Sequence, residues 1–277
     1  MRCVTLVCLL IAPTAFAAAD AVTEARRSAE RGKFDEAIKL LDGALVADAK
    51  NADAYELRAN VFAVTRQPAK AVEDFTKLLA LRPNADAVHD LRGSEYFKLG
   101  KIKESLDDFD RYLAKRPEDR PGHWRRGITL YYAGRFEDGA KQFNAYEKVD
   151  TNDVENSVWH YLCNARAVGP DKARAALLKI GFDRRVPLMT AYDLFAGKAK
   201  PEDVLKAAEA VADARAKKAA LFYAHLYLGL YFESVGDATK SLDDMTKAAE
   251  EFVLPGYMHE VARVHVQLRK PVPEKKP

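Results

Sequence analysis

Cysteine is scarce in this chain of 277 residues, and two of its three cysteines, Cys3 and Cys8, lie close to the N-terminus. If a leader segment carrying both is removed, Cys163 remains as a single thiol, which cannot form a disulfide within the chain. Cys163 lies in an apolar segment with helical periodicity. We therefore expect a buried, unreactive thiol rather than a redox centre or a disulfide framework.

An excess of one charge and the motifs of catalysis are also lacking. The 44 basic and 41 acidic residues give a formal net charge of +3, which predicts no concentrated basic face and no nucleic-acid partner. The six histidines lack the i, i+3 or i, i+4 spacing of zinc ligands, and no cysteine pair accompanies them. There is no GxSxG motif, phosphate-binding loop or dinucleotide-binding glycine pattern. We expect no metal, no cofactor and no enzyme.

Long apolar runs are absent after the first residues. The run from Val4 to Ala12 follows a single early charge and precedes a stretch of small residues. Residues 1–19 are therefore predicted to be a signal peptide, cleaved after Ala17 or Ala19, and the protein is predicted to be exported, either periplasmic or secreted. No later stretch reaches the roughly 20 apolar residues that a membrane-spanning helix needs.

A lipid anchor is not expected at Cys8. A lipidation signal places a small residue before the cysteine and ends the apolar run there. In this chain Val7 is bulky, and the run continues through Ile11. The mature chain is expected to begin near residue 20 without an acyl group.

A constant interval of 34 residues organises the first half of the chain, in four segments that begin near Ala18, Ala52, Asp86 and Arg120. Small residues recur where two helices would cross, glycines recur where a first helix would end, and bulky residues and prolines recur along and after a second helix. These residues are, in that order, Ala59, Gly93 and Gly127; Gly32, Gly100 and Gly134; Leu41, Phe75, Phe109 and Phe143; Pro83 and Pro117.

This pattern resembles the tetratricopeptide-repeat (TPR) family. The resemblance implies an all-α fold, a right-handed TPR α-solenoid of antiparallel helix pairs, which would form a single domain over residues 20–269. Gly229 lies three intervals after Gly127 and predicts a later repeat. The expected repeats are 20–51, 52–85, 86–119, 120–153, two degenerate copies over 154–221, and 222–255.

The last part of the chain is expected to close the stack. An amphipathic helix at 257–268 would cap its open end, because the terminal repeat of a solenoid has no neighbour to cover its apolar face. The tail at 270–277 is rich in proline and lysine and is predicted to be disordered.

The second half of the chain has a narrower resemblance. From Trp124 to Leu268, the order of the segments YYAGRF, NDVENSVWHYLCNAR, YDLFAGKAKPEDVL and HLYLGLYFESVGD is similar to that of the NlpI family of bacterial cell-envelope TPR lipoproteins. The resemblance implies an adaptor that docks envelope enzymes such as peptidoglycan hydrolases and a periplasmic protease. Those relatives are lipid-anchored, whereas this chain lacks the lipidation signal.

The first helices of stacked repeats line the concave side of a solenoid, where partner peptides bind. We expect an exposed peptide groove whose aromatic residues supply binding energy at little entropic cost. The alternative is that each aromatic residue packs against the following repeat. The candidate groove residues are Asn60, Asp90, Ser94, Phe97, Lys98, Trp124, Ile128, Tyr131 and Tyr132.

The charges of this expected groove exclude one familiar binding mode. TPR domains that grip a C-terminal carboxylate use a cluster of basic and amide side chains, whereas Glu56 and Asp90 occupy such places here. An acidic and aromatic groove favours a basic or mixed, partly apolar ligand.

Arginines recur at 58, 92 and 126, one interval apart. Asp74 and Asp108 recur on the second helix at the matching distance, so a pairing within each repeat is predicted rather than an anion-binding track. Gln142 replaces the acid in the fourth copy, which predicts a freer Arg126.

The favoured function is a non-catalytic scaffold that binds proteins or peptides, and homodimerisation through the amphipathic end helices is compatible with it. The alternative is a periplasmic small-ligand receptor or an enzyme built on the same solenoid. A receptor needs a closed pocket with convergent polar groups. A narrow, deep pocket beside Trp124 and His160 would favour it.

Overall fold

The computed structural model describes residues 14–146 and 149–270, with side chains from Ala19 onward. Within these ranges the regular elements are helices, without a strand. Residues 1–13 and 271–277 lie outside the described residues, so the predicted signal peptide and disordered tail stay predictions. The first helix, α1 (Thr14–Glu30), contains both predicted cleavage positions.

The chain divides into two compact units, between Glu95 and Tyr96. The division falls within helix α5 (Asp86–Lys98). From Thr14 onward, the first unit contains α1 and three further complete helices, which are α2 (Phe34–Ala47), α3 (Ala52–Val64) and α4 (Pro68–Leu81).

Within its described residues, the second unit contains the last turn of α5 and ten further helices. A short 3₁₀ turn (Pro117–Asp119) precedes α7, and a π-helical turn (Lys247–Glu251) follows α14. The helices are α6 (Ile102–Lys115), α7 (Trp124–Tyr132), α8 (Phe136–Tyr146), α9 (Val154–Val168), α10 (Pro170–Ala175), α11 (Leu188–Phe195), α12 (Pro201–Glu209), α13 (Ala214–Ser234), α14 (Ala238–Thr246) and α15 (Tyr257–Arg269).

Consecutive helices pack in pairs. The predicted positions at which the two helices of a pair cross are confirmed at Gly127 and Gly229. In the pair α7–α8, a Cβ added at Gly127 would lie 2.6 Å from Cζ of Phe143. In the pair α13–α14, a Cβ added at Gly229 would lie 2.7 Å from Cγ of Met245 and 3.1 Å from a backbone oxygen. A side chain at either glycine would push the two helices apart.

The predicted glycines at the end of the first helix of each pair are confirmed by their backbone angles. Gly32, Gly100 and Gly134 have φ values of +74°, +70° and +73°. This left-handed conformation closes the helix and is costly for a residue with a Cβ. In the second copy the same place is held by Arg66, with φ of +57°.

The pairing predicted for Arg58 is confirmed. Its Nε and Nη2 atoms donate to the two carboxylate oxygens of Asp74, each at 2.8 Å. A third bond runs from Nη1 to Asp42 on the preceding helix pair. The guanidinium therefore ties two successive pairs together. Arg92 donates to Thr76 at 3.0 Å, while its pairing with Asp108 stays a prediction.

The prediction that Arg126 is freer is wrong. Its Nε donates to Asp110 of α6 at 2.6 Å, and its Nη1 donates to the Gln142 side-chain oxygen of α8 at 3.2 Å. Arg126 is buried. The neutral amide of Gln142 replaces a carboxylate as acceptor, while the acid on the preceding helix balances the charge.

The core of the second unit is built around α9, which is buried on all sides from Asn156 to Cys163. Trp159, Tyr161 and Cys163 are at most 1% exposed. The expected buried thiol is confirmed, and burial raises the pKa of Cys163 above its usual value, which keeps it protonated and unreactive.

Helix α15 packs against α14 and also reaches back to α7. The Tyr257 ring lies 5.2 Å from that of Trp124 and 5.2 Å from that of Phe97. At the other end of the helix, the His265 ring lies 5.9 Å from that of Tyr132. Within the second unit, α15 therefore covers the face of α7 and the end of α5 that the sequence assigned to an open groove.

Candidate functional site

The predicted groove residues of the second unit are largely covered by the chain itself. Phe97 is fully buried, and Ile128 and Tyr131 are 1% exposed. The expectation that these three are exposed is wrong, because Tyr257 of α15 stacks on Phe97 and Trp159 of α9 contacts Tyr131 edge to face. This is the outcome of the alternative in which the aromatic residues pack against neighbouring helices.

Tyr131 and Tyr132 belong to a buried polar cluster beneath α15. The Tyr131 hydroxyl donates to Glu233, and the Tyr132 hydroxyl lies 3.1 Å from Nδ1 of His265. Burial raises the pKa of both tyrosines. Burial would also raise the pKa of Glu233, but His265, Tyr131 and Arg269 hold it below its usual value. The cluster fastens α15 to α7 and α13.

The remaining predicted groove residues do not form one site. Asn60 and Asp90 are half-buried in the first unit. Ser94, also in the first unit, is buried rather than exposed, and its hydroxyl donates to the Asp90 carbonyl of the same helix at 3.1 Å. Lys98, in the second unit, lines a shallow hollow with Glu250 of the turn before α15. The structure brings Trp124 and Ile128 together in one pocket and does not place the other candidates in it.

That pocket has a volume of about 360 Å³ and is partly open to solvent. Its walls come from α7, α8, α9, α13 and the start of α15. Most of its lining is aromatic or apolar, and polar groups are few. Its lining residues include Trp124, Asp153, Glu155, Trp159, Tyr223 and Tyr257.

The start of α9 positions both acids of the pocket. Asp153 is the N-cap of the helix, and its Oδ1 atom accepts from the Glu155 backbone N–H at 3.1 Å. Acidic side chains are stabilised there by the free N–H groups and the helix dipole. The Asn156 side chain donates to the Phe143 carbonyl at 3.0 Å, which ties α9 to α8.

Arg185 neutralises part of this acidic charge from outside the pocket. Its Nη1 donates to Glu155 Oε2 at 2.6 Å, its Nη2 donates to Asp153 Oδ1 at 3.0 Å, and it also binds Asp183. Burial raises the pKa of Asp153 and of Glu155, although Arg185 acts in the opposite direction. Three carboxylates share one guanidinium, so the region keeps a net negative charge when they are ionised.

The pocket's lining residues include buried polar atoms that have no hydrogen-bond partner among the described residues. Oδ1 of Asn156 and Nε1 of Trp159 belong to these atoms, in residues that are 5% and 1% exposed. A buried polar group without a partner carries a desolvation cost, which a ligand can remove. One atom is an acceptor and the other a donor.

Most residues of this site were not predicted from the sequence. Asp153 could have been found from its position, since an acid directly before an apolar helix is a strong N-cap signal. Arg185 carries no such signal, because it lies in a non-helical segment between α10 and α11. A pocket beside Trp124 was the expected mark of a ligand receptor, but His160 does not line it.

Two other kinds of site were considered for the part of the chain that the structure describes. Among residues 14–146 and 149–270, no cluster of histidine, cysteine and acidic side chains could hold a metal ion. In the same residues, no helix combines the length and apolar character needed to cross a membrane.

Comparison with known protein families identifies the repeats. Residues 17–86 and 91–154 match the family model described as tetratricopeptide repeat. No curated protein matches the chain in sequence. The similarity to the NlpI family therefore stays a prediction from segment order.

Solved structures share the fold at low sequence identity. A tetratricopeptide repeat protein from Parabacteroides merdae is 15% identical with a TM-score of 0.58, over 92% of this chain and 100% of that chain. YrrB, described as a TPR protein with an unusual peptide-binding site, is 19% identical with a TM-score of 0.54, over 65% and 87%. MamA from Desulfovibrio magneticus RS-1 is 19% identical with a TM-score of 0.52, over 57% and 90%.

Proposed function

Because residues 17–86 and 91–154 match the tetratricopeptide-repeat family model, we propose that the chain is a non-catalytic adaptor that holds a segment of a partner protein. The binding site is the pocket of the second unit between Trp124, Trp159 and Tyr257. The partner is a protein or peptide.

The observation that carries this proposal is the composition of the pocket. Two tryptophans, three tyrosines and two phenylalanines line it, and rigid aromatic surfaces of this kind give large contact areas at little entropic cost. The pocket is partly open, so a chain segment can insert one side chain while its backbone stays outside. YrrB, which shares this fold, is described as having an unusual peptide-binding site, and this description supports peptide binding as a function of the fold.

The proposed location is the bacterial cell envelope, after export and removal of residues 1–19. The support is the apolar run from Val4 to Ala12 and the segment order shared with the NlpI family. Partners of the kind that family docks, peptidoglycan hydrolases and a periplasmic protease, are the first candidates to test.

A small-ligand receptor is the second candidate function. The same pocket favours it, because a volume of about 360 Å³ lies within the range of small-molecule sites and buried polar atoms accompany an apolar lining. The two candidates differ in whether the bound molecule is part of a protein.

Affinity capture from envelope extract tests the proposal, using the chain from Asp20 onward. The test variant is Trp124→Ala, and the matched control is Phe182→Ala. Phe182 is an exposed aromatic residue of the same unit, 68% exposed, that does not line the pocket. We expect defined proteins to bind the parent and the control and to be lost from the test variant.

Capture that is equal in all three proteins would contradict a role for the pocket in protein binding. Absence of any captured protein, together with a small molecule that co-purifies with the parent and not with Trp124→Ala, would favour the receptor instead. Circular dichroism of the three proteins shows whether the helices persist.

A further inference from the structure

The charged groups around the pocket are unevenly distributed. Of the described residues that line it, Asp153 and Glu155 are acidic, and none is a lysine or an arginine. Both acids belong to the first turn of α9, and their side chains are 19% and 18% exposed. A ligand that enters the pocket therefore meets negative charge against an aromatic surface.

We propose that the pocket binds one basic side chain of the partner segment, with arginine preferred over lysine. This inference rests on the proposed function and names the chemistry that the site recognises. The cationic group lies against the aromatic walls and is held by Asp153, while the flanking residues of the segment remain at the open side.

Of the two acids, Asp153 is the one with a carboxylate oxygen that can accept a further hydrogen bond. Both oxygens of Glu155 are already engaged, Oε1 by the Tyr227 hydroxyl at 2.7 Å and Oε2 by Arg185 at 2.6 Å. The described bonds of Asp153 all use Oδ1, which leaves Oδ2 as an acceptor. Asp153 therefore contacts the ligand, and Glu155 contributes its charge.

The amide oxygen of Asn156 adds a second acceptor. Its nitrogen is fixed by the bond to the Phe143 carbonyl, so the amide orientation is set and Oδ1 is the atom left without a partner among the described residues. A guanidinium has donors on several nitrogens in one plane and can serve two separated acceptors at once, whereas an ammonium is a compact point charge. This favours arginine.

The aromatic walls suit a flat cation as well. The Trp124 and Tyr257 rings meet edge to face with centroids 5.2 Å apart, and both line the pocket. A guanidinium is attracted to an aromatic ring through cation–π interaction, which is strongest with tryptophan. An uncharged residue of similar shape would gain only the apolar contact.

An acidic ligand fits this site poorly. Arg185 is the cation beside the two acids, and its guanidinium is already shared among Asp153, Glu155 and Asp183. Arg185 does not line the pocket. A carboxylate in the pocket would face two carboxylates with no new counter-charge, and this like-charge contact discriminates against acidic partners.

The chain's own fluorescence reports on this pocket, because both of its tryptophans, Trp124 and Trp159, line it. The probes are four capped pentapeptides, acetyl-Ala-Leu-X-Leu-Ala-amide, with arginine, lysine, citrulline or glutamate at X. Citrulline keeps the shape of arginine without the charge. We expect the arginine peptide to change the emission saturably and to bind at least tenfold more tightly than the citrulline peptide, with glutamate weakest.

The test variant is Asp153→Asn, which keeps a good N-cap for α9 and removes the charge. We expect it to weaken the arginine peptide at least tenfold and to leave the citrulline peptide unchanged. The control is Asp150→Asn, which lines the neighbouring hollow but not this pocket and should leave both affinities unchanged.

Three results would overturn the inference. They are equal affinity for arginine and citrulline peptides, an unchanged arginine affinity in Asp153→Asn, and no saturable binding of any basic peptide. The proposed function is tested separately, because loss of partner capture in Trp124→Ala would still show that the pocket binds a protein of another chemistry.

Discussion

The close contact at Gly127 shows how one side chain sets the distance between two helices. A Cβ at this position would lie 2.6 Å from the Phe143 ring, which is 1% exposed and is held by the surrounding core. We expect Gly127→Ala to lower the free energy of unfolding by about 1–3 kcal/mol, because overpacking forces the helices apart.

Gly43→Ala is the matched control for this change. Gly43 lies within α2, and a Cβ added there would meet no atom within 4 Å. Alanine should stabilise that helix by about 0.5–1 kcal/mol through its higher helix propensity. Urea unfolding of both variants checks the pair, and an unchanged stability in Gly127→Ala would contradict the packing argument.

Arg66 holds a left-handed conformation where the other three copies have glycine. We compare Arg66→Gly with Arg66→Ala, since both remove the same side-chain interactions and differ in the Cβ. The glycine variant should be more stable than the alanine variant by about 1 kcal/mol, because the left-handed region is strained for a residue with a Cβ. Thermal unfolding measures the difference, and a more stable alanine variant would exclude strain at this turn.

His265 makes the attachment of α15 sensitive to acid. Burial lowers the pKa of His265 to about 4, with Glu233 acting in the opposite direction and Arg269 in the same direction. The ring nitrogens face the hydroxyls of Tyr132 and Ser241. Because the unfolded chain binds the proton with a pKa near 6.5, this contribution to stability is present above pH 6.5 and is lost as the pH falls toward 4.

The size of this effect follows from the two pKa values. Between pH 7 and pH 4.5, the native protein should lose about 2–3 kcal/mol more unfolding free energy than a His265→Gln variant, whose side chain does not titrate. Urea unfolding at the two pH values measures this difference. Equal losses in both proteins would show that His265 does not control the attachment.

Helix α15 is the element that turns an expected groove into a pocket. Tyr257→Ala removes the stacked contact with Phe97 and the edge contact with Trp124. We expect a loss of about 1–3 kcal/mol from the second unit and a red shift of tryptophan emission, because Trp124 becomes more hydrated. Leu268→Ala is the control on the same helix, since Leu268 is 37% exposed. Leu268→Ala should leave the emission wavelength unchanged. An unchanged emission wavelength in Tyr257→Ala would contradict the inference that α15 covers Trp124.

Local pattern was enough to predict most of the helix pairs and their contacts. The crossing role of Gly127 and Gly229 and the turns at Gly100 and Gly134 follow from one interval in the sequence, since each depends on residues close by in the chain. The pairing of Arg58 with Asp74 follows from the same interval.

Contacts between distant segments could not be predicted in the same way. The apolar positions of α15 indicate that the helix is amphipathic, but they do not indicate which surface it covers, and so Phe97 and Tyr131 were expected to be exposed. Arg185 meets Glu155 from a non-helical segment without periodicity. The pairing of Arg126 with Asp110 was missed because only acids later in the chain were considered, although Asp42 stands at the same distance before Arg58.

At the scale of the whole molecule, the repeats extend across both units, whereas the candidate site belongs to the second. Residues 17–86 and 91–154 match the family model, and some of the pocket's aromatic residues, Phe222, Tyr223 and Tyr257, come from α13 and α15, beyond the matched segments. The matched segments therefore supply Trp124 and Asp153, and the helices that follow them complete the pocket.

Site-directed photo-cross-linking shows whether the pocket of the second unit holds a partner protein. A benzophenone side chain is placed at Tyr223 in the pocket wall or at the exposed Phe182 outside it, in the cells that make the protein. We predict a defined protein adduct from Tyr223 that is lost when Trp124→Ala is added, and no such adduct from Phe182. Adducts from Phe182 alone, or a Tyr223 adduct that persists with Trp124→Ala, would contradict this prediction.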